Sequence, residues 1–276
     1  MLDKGELRAF ALAGTVTLAS RAKLERVESR NVIARLPGRD PRLSAENVVF
    51  TAHLDHLGIG APHGGDSIYN GAQDNALGVA TMLEAARLLF ASPEKPRRSM
   101  LFIALTAEEK GLLGAFHFAE HPTVPRESLV ANVNMDMPLL LTDTSDVIPI
   151  GIEHSTLDAV AQAAVAEAGL TLTPDPQPDE VVFVRSDQYA FVRAGVPAIY
   201  LIGGIKPLDG ADGLKRFEEF LSHRYHLPSD DLAHPIDWSA AARLASVNYR
   251  IGLAIGDAAD RPAWKPGDFF GARFGP

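Results

Sequence analysis

The chain has no cysteine, which removes thiol nucleophiles, cysteine-based zinc sites and disulfides. That absence leaves the cellular compartment open. Basic side chains are also scarce: 26 Lys and Arg stand against 35 Asp and Glu, for a net charge of −9. No basic stripe is available for phosphates, so nucleic acid is excluded as a partner. No run approaches the roughly 18 apolar residues that a membrane span needs. Two common catalytic signatures, HExxH and G-x-S-x-G, do not occur. Gly58-x-Gly60 makes a poor nucleotide fingerprint, because no suitable helix follows the turn. Ala9–Ser20 has the small apolar residues of a signal peptide. Asp3 and Glu6 spoil its basic flank, so Gly14–Leu18 is read as a strand.

What is present is enough apolar material for a sizeable core: 46% of 276 residues are hydrophobic. That suits one α/β domain, or one domain with a small addition. Residues 1–29 carry little pattern and are set apart as an N-terminal extension; residues 30–276 form the main domain. Within it, apolar strands are expected at 31–36, 48–52, 100–106, 129–135, 181–184 and 198–202. Helices are expected at 76–90, 115–121, 156–169, 187–194 and 238–258. Strands that alternate with helices, and that are apolar throughout, indicate a three-layer α/β/α sandwich with a mixed, mostly parallel central sheet.

The strands share a further feature. Each of several apolar runs stops and charged residues follow at once: His53 and Asp55 after 48–52, Glu108 and Glu109 after 100–106, Asp136 after 129–135. Asp74 opens the helix that follows the first of these strands. Each has an ordinary structural explanation, such as a helix cap for Asp74 or first-turn acids for the glutamates. Together they place several acids at the carboxyl ends of parallel strands, where ligands bind in open α/β sheets. Buried acids in one crevice repel each other unless a cation compensates.

AHLDHLG at 52–58, NGAQDNALGVA at 70–80, TAEEKGLLG at 106–114, NMDM at 134–137 and YHLPSDD at 225–231 resemble the M28 family of zinc peptidases. The resemblance runs from about Asn31 to the last long helix. It implies a dinuclear zinc-dependent aminopeptidase that hydrolyses N-terminal residues from peptides. His53, Asp74 and Asp136 would hold one zinc ion and Asp74, Glu109 and His226 the other, with Asp74 as the bridge. Oxygen and imidazole donors suit zinc without cysteine. Glu108 would be the general base for a metal-activated water. The Asp55 carboxylate would accept the second ring N–H of His53, and the Tyr225 hydroxyl would donate to the oxyanion. The peptide bond after the bridging acid would be cis. Residues 1–29 would be the remnant of an upstream protease-associated domain, and the family's exported members point to a secreted or periplasmic location.

Other candidates receive lesser roles. His56 is read as a loop residue rather than a ligand, and Ser186-Asp187 as support for the cleft. His63, His117, His121, His154, His223 and His234 fit no cluster. Three alternatives remain open: a carboxypeptidase or dipeptidase of the same superfamily, with Arg185 and Arg193 as cations for a C-terminal carboxylate; a glutaminyl cyclase, with one zinc; and a non-catalytic binding module on the same fold.

Overall fold

A computed structural model describes residues 13–275. Its centre is β2 (Asn47–His53), buried at every position. Val48, Phe50 and Ala52 face one side of the sheet and Val49 the other, as the two-residue period of a strand requires. β2 is parallel to β5 (Ser99–Leu105) on one side and to β6 (Leu129–Asn134) on the other. The chain leaves β2 through α1 (Leu77–Ala91) to reach β5, then passes through α2 (Leu113–Glu120) to β6. The direction of winding thus reverses at β2, which opens a crevice beyond the carboxyl ends of these three strands.

Four more strands complete a seven-stranded mixed sheet in the order β1-β5-β2-β6-β9-β7-β8. β1 (Val32–Leu36) is an antiparallel edge on β5. β9 (Ala198–Gly203) is parallel to β6, β7 (Asp146–Ile150) is antiparallel to β9, and β8 (Thr171–Leu172) is a short parallel edge on β7. One face packs against α1, α3 (Leu157–Glu167) and α6 (Trp238–Asp257). α2 and α4 (Gln188–Arg193) cover the other. Gly252 lets α6 press onto β2: a Cβ there would lie 2.1 Å from the Phe50 ring. This is the expected three-layer fold. No helix among the described residues is long and apolar enough to cross a membrane.

Several elements differ from the sequence reading. The glycine-rich connection after β2 contains an exposed hairpin, β3 (Gly58–His63) with β4 (Asp66–Tyr69). The strand expected at 181–184 is instead two short 3-10 turns, Pro178–Glu180 and Val182–Val184, separated by Val181 at φ 52°. β-branched residues favour a strand there, but the left-handed residue and the proline leave no extended run. Residues 14–18 pair with nothing, and Val16 and Leu18 stay exposed. α5 (Gly213–His223) and α7 (Phe269–Phe274) complete the fold.

Candidate active site

The crevice beyond β2, β5 and β6 gathers the charged residues that end those strands. His53 is the last residue of β2 and is 1% exposed. Its Nε2 lies 3.1 Å from Asp136 Oδ1 and 3.1 Å from Asp74 Oδ1. The other oxygen of Asp74, Oδ2, lies 3.3 Å from Nε2 of His226, which is also 3.0 Å from Glu109 Oε2. Asp74 therefore turns one oxygen to each histidine. Asp74 and Asp136 are buried, at 3% and 8% exposure.

Local structure explains how each group is held. The Asp74–Asn75 peptide is cis, as expected. Asn75 donates through Nδ2 to the Met135 carbonyl, and its Oδ1 accepts from the Met137 amide, so it grips the chain on both sides of Asp136. The Asp230 carboxylate accepts from the Gln73 and Asp74 amides at 3.0–3.1 Å, fixing the turn from which Asp74 projects. Glu108 and Glu109 open a 3-10 turn entered through Ala107 at φ 56°. The Asp55 carboxylate holds that turn by accepting from the Ala107 amide at 2.7 Å and from the Thr106 hydroxyl.

This last contact corrects the expectation for Asp55. Its carboxylate does not meet His53. The Asp55 backbone carbonyl does, at 2.8 Å from Nδ1, so it is the carbonyl that directs Nε2 toward the acids. The side chain is spent on the glutamate turn at the end of the neighbouring strand β5.

His56 lies in a loop, as read from the sequence, but its ring turns into the site. It lies within the cluster, its side chain only 5% exposed, with Nδ1 2.7 Å from Glu109 Oε1 and 3.8 Å from Asp74 Oδ2. A histidine in a glycine-rich loop gives no periodic signal, and only the folded turn brings it to Glu109. Two groups thus have the donors and spacing to hold a metal ion: His53 with Asp74 and Asp136, and His56 with Asp74 and Glu109.

Charge is tightly coupled here. Burial works against a charged His53, yet Asp136 and Asp74 outweigh it and hold the imidazole well above its usual range. Burial likewise opposes charge on His226, but Asp74 and Glu109 raise it to about 9. Burial, followed by the nearby Asp136, pushes Glu108 up to about 9. Fully buried Asp187 is raised to about 7, first by burial; neither of its oxygens has a hydrogen-bond partner. Ser186, in the lining of the cavity, accepts from Asn134 Nδ2 at 2.9 Å.

The donor set passes a test for zinc. Donor atoms at bonds of about 2.0–2.1 Å around a tetrahedral ion sit roughly 3.3–3.4 Å apart; the contacts of His53 and His226 with the acids are 3.0–3.3 Å, and those of His56 are 2.7 and 3.8 Å. The acids favour the charged form of the His53 and His226 imidazoles, so the site favours positive charge where an ion would stand. All donors are carboxylate oxygens or imidazole nitrogens, which zinc accepts.

The cluster forms the floor of a cavity of about 600 Å³. Met137, Leu139, Ile202, Phe217 and Leu221 supply apolar wall. Tyr225 stacks on His226 at 3.9 Å between ring centroids; burial and then Asp74 keep its hydroxyl protonated well above the usual range. Arg185 is the only Lys or Arg among the described lining residues, and it pairs with Glu180 at 2.8 Å. Arg193 lies outside the cavity, over the Phe116 ring. His63, His117, His121, His154, His223 and His234 join neither metal-type group. Among them His154 meets Asp268 at 2.7 Å and ties α7 to the body.

The family model described as Peptidase family M28 matches residues 31–251. The chain is 28% identical over 260 residues to the protein named Probable lipoprotein aminopeptidase LpqL of Mycobacterium tuberculosis, covering 89% of this chain and 49% of that protein. It is 27% identical over 190 residues to aminopeptidase YwaD of Bacillus subtilis, covering 68% and 36%. The solved structure of a zinc aminopeptidase from Bacillus subtilis shares the fold, with a TM-score of 0.59 and 24% identity over 83% of this chain and 50% of that one. The chain thus spans half or less of the length of these relatives.

Proposed function

Because the chain belongs to peptidase family M28, we propose that it is the catalytic part of a dinuclear zinc aminopeptidase that removes N-terminal residues from peptides. The observation that carries this reading is the division of Asp74, with one oxygen toward His53 and the other toward His226. One ion would take His53, Asp74 and Asp136; the second would take Asp74, Glu109 and His226. When bound, the ions supply Lewis acidity and a water of lowered pKa.

The remaining chemistry belongs to side chains. Glu108 accepts the proton of the attacking water on its carboxylate and returns it to the leaving nitrogen. Its high proton affinity arises from burial and then from Asp136. Positive charge among the acids offsets that repulsion and lowers Glu108 toward neutral pH, where a base works best. The Tyr225 hydroxyl, held protonated in the cavity lining, would donate to the developing oxyanion. Asp55 acts as a positioning residue, through its carbonyl on His53 and its carboxylate on the turn that carries Glu108.

Release of N-terminal residues is favoured over carboxypeptidase action by the pairing of Arg185 with Glu180. A C-terminal carboxylate needs an available cation, and the described cavity lining offers none unpaired. Glutaminyl cyclase chemistry on a single zinc is disfavoured by the intact acid pair on His53. A non-catalytic module is disfavoured because all five ligand positions and the base carry competent residues. Export from the cytoplasm belongs to the same proposal, supported by the likeness to a protein named as a lipoprotein aminopeptidase.

The test is hydrolysis of aminoacyl-nitroanilides with free and with acetylated amino groups, before and after chelation. Cleavage of the free substrates alone, abolished by chelator and restored by zinc, is expected. Equal cleavage of acetylated substrates, or activity indifferent to chelator, contradicts the proposal.

A further inference from the structure

Outside the five residues that the M28 resemblance assigns, His56 is the group in the crevice with the least explained surroundings. Its side chain is 5% exposed, and neither ring nitrogen has a hydrogen-bond partner. An imidazole buried in that state gives up its hydration for one close but misaligned approach to a carboxylate, and a buried polar group left unsatisfied costs about 1–3 kcal/mol. Glu109 Oε1, 2.7 Å from Nδ1, is buried and unpartnered in the same way. The two atoms are close enough to hydrogen-bond, but the ring N–H is not aligned with the oxygen. Neighbouring donors that approach without bonding to one another are disposed as ligands of a common centre are.

Other contacts fix the ring in this place. Gly71, at φ 66°, has no side chain to push it away; a Cβ there would lie 2.7 Å from His56 Cγ. The ring meets His226 edge to face at 5.5 Å. Nδ1 is also 3.8 Å from Asp74 Oδ2, the oxygen turned toward His226. One donor atom each from His56, Asp74 and Glu109 lies within 4.8 Å of the others.

We propose that His56 is a fourth protein ligand, through Nδ1, of the ion held by Asp74, Glu109 and His226. The inference rests on the metallopeptidase reading above. It makes the two sites unequal: the second has two imidazoles and two carboxylates, the first one imidazole and two carboxylates. A tetrahedral ion with four protein ligands is closed, whereas one with three keeps a position for water or substrate. The second ion is then the tightly held one, and the first is exchangeable and faces the chemistry.

The absence of cysteine allows a direct test. His56→Cys places the chain's only thiol at this position, and a thiolate bound to cobalt(II) gives a near-ultraviolet charge-transfer band that oxygen and nitrogen ligands do not. The whole chain, freed of metal, is titrated with cobalt(II) chloride as wild type, His56→Cys, His56→Ala and His56→Asn, each checked for an unchanged far-ultraviolet spectrum. The band is expected in His56→Cys alone. The tighter binding step should weaken at least about tenfold in His56→Ala, on the scale of losing a group that bears on a metal. His56→Asn, which can donate a hydrogen bond from the Nδ1 position, should not restore it. A well-folded His56→Cys protein without the band, or full restoration by His56→Asn, overturns the proposal; the latter would make His56 a hydrogen-bonding support for Glu109. Uptake of only one equivalent by wild type would count against the two-ion reading, while the band would still decide the role of His56.

Discussion

Glu108→Gln is expected to lower turnover of an aminoacyl-nitroanilide by about two to four orders of magnitude, the usual worth of a general base, while zinc content stays at the wild-type value. Metal analysis beside steady-state kinetics checks it, and full activity would remove Glu108 from the base role. Asp230→Ala is expected to act from behind the site. It strips the acceptor from the Gln73 and Asp74 amides, at about 1–3 kcal/mol for each donor left buried, so thermal stability and zinc affinity should fall together. At this scale the charged residues that the structure gathers in the crevice, His53, Asp74, Glu108, Glu109, Asp136 and His226, were legible because each belongs to a recognisable motif. His56 was not, since nothing in a glycine-rich loop tells that its ring returns to Glu109. The Asp55 contact was misassigned for a related reason: spacing puts Asp55 near His53, but only the backbone path decides whether the carbonyl or the carboxylate arrives there.

The packing of α6 on β2 depends on one residue without a side chain. Gly252→Ala puts a methyl 2.1 Å from Phe50 Cζ, and Phe50 is fully buried in stacked contact with Phe102. Overpacking of this kind costs about 1–3 kcal/mol, so a lowered denaturation midpoint with an unchanged slope is expected; an unchanged midpoint would mean that the helix can move aside freely. Elements as long and uniformly apolar as β2, β5 and β6 could be read from the sequence, and so could the long helices α1, α3 and α6. β7 and β8 are short and lie beyond a stretch with no clear period. Val181–Val184 misled because β-branched residues indicate a strand, whereas the turn beside Pro178 fits that stretch to the cavity wall.

Across the whole molecule, the coupled charges predict how stability varies with pH when metal is removed. His226 is raised from 6.5 to about 9, so its contribution is complete below pH 6.5 and is lost as pH rises through 9. Glu108, raised from 4.5 to about 9, acts in the same direction over a wider range. Asp74 and Glu109 are lowered, by histidine contacts that outweigh burial; their contribution is lost only as pH falls through the acid range. Chelated protein should therefore lose melting temperature between about pH 6 and 9. Zinc needs deprotonated ligands, so its binding strengthens over that interval and should flatten or reverse the slope. Thermal scans across this range, with chelator and with zinc, test both signs.

The most direct measurement is an anomalous difference map collected on either side of the zinc edge from crystals grown with zinc. Two peaks per chain are expected, one among His53, Asp74 and Asp136 and one among Asp74, Glu109 and His226, with Asp74 between them. A single peak, or acids that remain paired with protonated histidines and hold no ion, would contradict the account.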